Sequence, residues 1–144
     1  MIEKDTVRLL RECDAGVKMG VSSINEVLDR VKGDGLRASL VKSRDAHERL
    51  GSEIRERLDR FGDDGKEPSV MSRGMSWIKT EASLLADESD ATIASLMTDG
   101  CNMGIKSLNK YLNEYEAAEE YSKDITKKLI SLERELVESV KGVL

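Results

Sequence analysis

Histidine and proline each occur once, as His47 and Pro68, and aromatic residues make up only 3% of the 144-residue chain. A di-iron carboxylate bundle takes a Glu-x-x-His motif from each of two helices, because the hard metal pair needs bridging carboxylates backed by imidazoles. One histidine excludes two such motifs, and the residue three before His47 is Arg44. The two cysteines, Cys13 and Cys101, lie far apart with no close-spaced partner, which removes a disulfide framework or a zinc finger. No apolar run approaches the roughly 20 residues of a spanning helix, and Met-Ile-Glu-Lys-Asp lacks the build of a signal peptide. A cytoplasmic protein without a membrane partner is expected. The 28 acidic and 23 basic residues are interspersed and leave a net charge of -5, with no basic stripe of the kind that neutralises phosphates. Nucleic acid is therefore not an expected partner.

Charged residues amount to 35% of the chain, and Leu, Ala, Lys and Glu are abundant, the composition of a helix-rich domain with a thin aliphatic core. The length suits a single domain. Asp5 or Thr6 caps a first helix that runs to about Lys32, where Gly33-Asp34-Gly35 supplies a turn tolerant of left-handed geometry. Its apolar positions Leu10, Val17, Ile24 and Val31 recur every seven residues. A second helix follows from about Leu36 to Phe61-Gly62, with Leu40, His47, Ile54 and Phe61 on one line. The segment from Gly62 to Pro68 reads as a solvated loop, and a short crossover helix over 68–85 carries Met71, Met75 and Trp77. Ser89 or Asp90 then opens a helix over Ala91–Tyr115, and the last helix covers Ala118–Val143. Glu116-Ala117-Ala118-Glu119-Glu120 favours helix, yet a single helix through it would exceed about 70 Å. A turn is placed near residue 116. The domain thus divides into a hairpin over 5–62, a crossover over 68–85 and a hairpin over 90–143.

The two hairpins share a pattern. Cys13-Asp14-Ala15-Gly16-Val17-Lys18 aligns with Cys101-Asn102-Met103-Gly104-Ile105-Lys106 at an offset of 101 - 13 = 88. Ser43-Arg44-Asp45 aligns with Ser122-Lys123-Asp124 at 122 - 43 = 79. Two hairpins joined by a long crossover make a ferritin-like four-helix bundle.

Leu50-Gly51-Ser52-Glu53-Ile54, the Gly62 to Pro68 loop, Ser72-Arg73-Gly74-Met75-Ser76-Trp77-Ile78-Lys79, and Asp99-Gly100 followed by Ile105-Lys106-Ser107-Leu108 resemble bacterial ferritin-like four-helix bundles of uncharacterised function. The resemblance implies the fold and no activity. It also implies an acidic residue after the glycine of Asp-Gly, where this chain has Cys101, with Cys13 at the repeat-related place. Two ligand positions would then have become thiols, a soft pair suited to zinc or copper. His47 does not complete such a site: about eight residues of level separate it from Cys13 on antiparallel helices, or about 12 Å.

The simpler reading is that the thiols fill the core as small apolar groups and that His47 bonds within its own helix, with Ser43 one turn away. Asp45, Glu48, Glu53 and Glu56 alternate with Arg44, Arg49, Arg55 and Arg57 on a solvated face. Tyr111, Tyr115 and Tyr121 cluster near the last turn, and exposed together they would suit an interface. Gly16, Gly20, Gly100 and Gly104 on the inward stripes allow close helix approach or leave room for an apolar ligand. The expected function is a non-catalytic, metal-free scaffold or interaction module without a cofactor, self-associating and most simply dimeric. The alternative is a thiol- or metal-dependent redox protein using Cys13 and Cys101.

Overall fold

The computed structural model describes residues 2–67 and 89–144. Within them the chain forms four α-helices and no strand: α1 (Ile2–Leu28), α2 (Asp34–Arg60), α3 (Asp90–Glu114) and α4 (Glu120–Val140), followed by one 3-10 turn at Lys141–Val143. The short helix expected over 68–85, with Met71, Met75 and Trp77, lies outside the described residues. Among the described residues no helix is long and apolar enough to cross a membrane.

Short turns fold α1 back on α2 and α3 back on α4, and these pairs pack most extensively. Next comes α2 on α4, then α1 on α4 and α1 on α3, and the helices follow one another around the bundle in the order α1, α2, α4, α3. One diagonal is short, because α1 also packs on α4, whereas α2 and α3 barely meet. Two glycines lie at helix contacts. A β-carbon on Gly16 of α1 would already touch Leu129 of α4 at 3.6 Å, and one on Gly51 of α2 would stand 2.9 Å from Val17 of α1.

Both turns are held by the opposite hairpin. Asp90, at the start of α3, accepts hydrogen bonds from the backbone N–H groups of Lys32 (2.9 Å) and Gly33 (2.7 Å). These bonds hold the turn just ahead of α2, whose N-cap residue Gly33 supplies no side-chain cap. At the other end, Asp5 of α1 accepts from Ala117 N (3.2 Å) and Thr6 accepts from Glu119 N (2.8 Å). These contacts fix helix direction: α3 begins beside the turn that ends α1 and runs antiparallel to it, and α4 runs parallel to α1.

The first turn falls earlier than the sequence suggests. Helix α1 stops at Leu28, and Asp34 and Gly35 already belong to α2. Neither Gly33 nor Gly35 adopts a positive φ, which among the described residues occurs at Gly62 (69°) and Gly65 (87°). Val31 is buried in the core and pins the chain there, so the turn is built on an apolar plug and the Asp90 carboxylate rather than on left-handed glycines. The expected turn near 116 is present between Glu114 and Glu120. Ser89 caps α3 as expected, its Oγ accepting from Thr92 N at 3.2 Å.

The described residues just after α2 stay in contact with solvent, as expected, and are also strapped to α1. Arg11 donates to both carboxylate oxygens of Asp63 (2.9 and 3.1 Å), Lys66 pairs with Glu12, and Lys18 pairs with Glu67 (2.8 Å). The anchor is Asp14, whose buried carboxylate accepts from Lys66 N (2.9 Å) and pairs with Lys18 (2.9 Å). Gly65 turns over this carboxylate with a positive φ, where a β-carbon would collide with Asp14 Oδ2.

Candidate functional site

The apolar core divides into two clusters. One, at the end holding the first turn, gathers Ile24, Leu40, Met97, Cys101, Leu136 and Val140. The other gathers Leu10, Cys13, Val17, Ile54, Leu108 and Leu129. On α2 the step between the clusters is taken by His47, on α3 by Gly104 and on α4 by Glu133. This mid-height belt is where the interior carries chemistry.

His47 is fully buried, and its Nδ1–H donates to the Ser43 carbonyl at 2.8 Å. The Ser43 hydroxyl lies farther off, at 3.4 Å. The partner within its own helix is the expected one, although the backbone rather than the hydroxyl makes the short bond. Burial lowers the ring's pKa against the opposing pull of that bond, so the imidazole is neutral with its proton on Nδ1.

Both candidate thiols are free and fully buried. They occupy different clusters, and their helices run antiparallel, so side chains that tilt toward each helix N-terminus lean apart. Cys13 Sγ lies 3.2 Å from Thr126 Oγ1. The Thr126 hydroxyl already donates to the Ser122 carbonyl (2.8 Å), which leaves Cys13 as the donor. Burial pushes the Cys13 thiol up to about 12, against the lowering effect of the Thr126 hydrogen bond, with Glu12, Glu133 and Asp14 raising it further. Burial and Glu133 also push Cys101 up. A nucleophilic or redox-active cysteine needs the reverse, an electropositive and partly exposed setting that stabilises thiolate.

Glu133 is a candidate side chain that the sequence reading did not point to. It is 2% exposed, and its Oε2 has no hydrogen-bond partner among the described residues. Burial alone pushes its carboxyl up to about 8, so it carries its proton at neutral pH. Gly104 makes the room: a β-carbon there would stand 2.9 Å from the Glu133 Cδ and Oε2 and would overlap Oε1. Gly104 therefore seats a side chain rather than a neighbouring backbone. A signal was available, since Glu133 lies seven residues after the buried Thr126 and seven before the buried Val140. Its charge hid it.

Gly16 and Gly104, which the sequence pattern aligns, both face α4, at Leu129 (3.6 Å from an added β-carbon, an ordinary contact) and at Glu133 (a clash) respectively. A twofold-related pair would meet α4 and α2 instead, so the shared sequence pattern is used asymmetrically. The tyrosines also separate. Tyr111 and Tyr115 stack with ring centres 6.2 Å apart, whereas Tyr121 lies under the Arg57 guanidinium (4.2 Å) and donates to Glu53 at 2.6 Å. Among the described residues, no three His, Cys, Asp or Glu side chains converge closely enough to hold a metal ion. Compared with known proteins, the chain matches no family model, and no curated protein or solved structure shows significant similarity to it.

Proposed function

We propose that this chain is a ferritin-like four-helix bundle serving as a non-catalytic, metal-free scaffold or interaction module that self-associates, most simply as a dimer. The ferritin-like reading draws on helix direction: α2 ends at one end of the bundle, α3 begins at the other, and the connection between them is long. The non-catalytic reading rests on the chemical state of the mid-height groups. His47 bonds to its own helix, Cys13 to Thr126, and Glu133 keeps its proton against Gly104. Each is in a form that packs well and reacts poorly. The thiol alternative draws less support, because burial holds both thiols in the protonated state.

Size-exclusion chromatography with light scattering tests the scaffold reading, and twice the chain mass is expected. A strict monomer that also retains no partner in a pull-down overturns it. Elemental analysis of the native protein tests the metal-free part, which a stoichiometric transition metal would sink.

A further inference from the structure

We propose that Glu133 and Gly104 form a proton-operated catch between α3 and α4: with its proton on, the carboxyl stays seated and the hairpin is closed at mid-height, and when the proton leaves, the carboxylate moves to water and the seam opens there.

Three features of the site lead to this. The carboxyl is buried between two apolar clusters with Oε2 unpartnered among the described residues, a place that tolerates a neutral acid and strongly disfavours a carboxylate. No cation faces it. The groups coupled to it are Cys13 from α1 and Cys101 from α3, both protonated thiols, and the matching step of α2 is the neutral His47. Lys106 and Arg134, near it in sequence on α3 and α4, are exposed. Among the described residues, nothing therefore holds the ionised form in place. Finally, the cover is thin on one side: Gly104, which lies against the carboxyl, is itself only half-buried and has no side chain to shield it. Ionisation and opening are thus coupled, and the carboxyl's displacement to about 8 sets where the catch operates.

Amide hydrogen exchange on the full chain, corrected for the intrinsic pH dependence of exchange, reads the opening directly. Protection around Gly104 and Glu133 is expected to fall about tenfold or more between pH about 6 and about 9.5, with α1 and α2 holding theirs. Glu133→Gln, which keeps the shape and cannot ionise, is expected to show no such fall. Unchanged protection in the wild type, an equal fall in all four helices, or an undiminished fall in the variant overturns the proposal. The carbon-13 shift of the Glu133 carboxyl in the wild type gives a reading that needs no variant. A midpoint above about pH 7 supports the catch, and one in the ordinary glutamate range near about 4.3 overturns it.

Discussion

Replacing Gly104 with alanine sets two physical effects against each other. In the middle of a solvent-facing helix, glycine to alanine stabilises by about 1 kcal/mol, because alanine loses less backbone freedom on folding. At Gly104 the added β-carbon would lie 2.9 Å from Glu133 Cδ and Oε2 and would overlap Oε1. The carboxyl ends a flexible side chain and can yield, but at 2% exposure it yields only into the apolar clusters or out to water. Overpacking of this kind costs about 1 to 3 kcal/mol, which outweighs the propensity gain and leaves Gly104→Ala destabilised by about 1 kcal/mol. Gly35→Ala is the control. It lies in the first turn of α2 with nothing within 4 Å of the new β-carbon, so it should be neutral or slightly stabilising. Urea unfolding followed by circular dichroism compares the two, and adding Glu133→Ala completes a double-mutant cycle. The overlap predicts a coupling of about 1 to 2 kcal/mol between Gly104→Ala and Glu133→Ala. A Gly104→Ala variant as stable as Gly35→Ala, or strictly additive mutations, would refute the seating of Glu133 on this glycine.

Glu133→Gln should change how stability depends on pH. The folded chain keeps the proton up to about pH 8, whereas the unfolded chain releases it near the model value of 4.5. Wild-type stability therefore falls as pH rises between those values, by at most about 1.4 kcal/mol per pH unit, and levels off above them. Paired urea titrations should show that slope missing from the variant. Asp90→Ala removes the acceptor of two backbone N–H groups in the first turn, and exchange at Lys32 and Gly33 should quicken by about tenfold. Those same bonds hold the Asp90 carboxyl below its usual value, so its contribution is present at neutral pH and is lost as pH falls through the folded value. Cys13 and Cys101 should react with a neutral alkylating reagent at least about a hundredfold more slowly in the native protein than after unfolding, by mass spectrometry. Rapid native labelling of either thiol would revive the redox alternative.

Periodicity carried most of the helical reading. Leu10, Val17 and Ile24 on the first stripe, and Leu40 and Ile54 on the second, are all buried, because one apolar face of a long helix has to find a partner whatever that partner is; Val31, the next in the series, is buried from the turn instead. The same period placed His47 on an inward line, and Ser43 was within reach as its partner because residues four apart on a helix are neighbours. The inward cysteines were legible too, but their separation into two clusters was not, since it depends on how antiparallel helices are levelled against each other.

Among the described residues, what the sequence determined alone was the set of elements: four amphipathic helices in two hairpins, set by apolar spacing and by a cap such as Ser89. The tertiary structure decided where those elements stop and what the middle contains. Glu116-Ala117-Ala118-Glu119-Glu120 favours helix locally, yet the chain turns there because Asp5 and Thr6, more than a hundred residues away in sequence, accept its amide protons. Asp90 does the same for the first turn. Glu133 looks like one more surface charge in a charged helix until Gly104 is brought against it by the packing of α3 on α4. Local propensities differ by less than 1 kcal/mol per residue, whereas a buried polar group gains or loses more than that according to its surroundings, so partners distant in sequence decide both the turns and the belt.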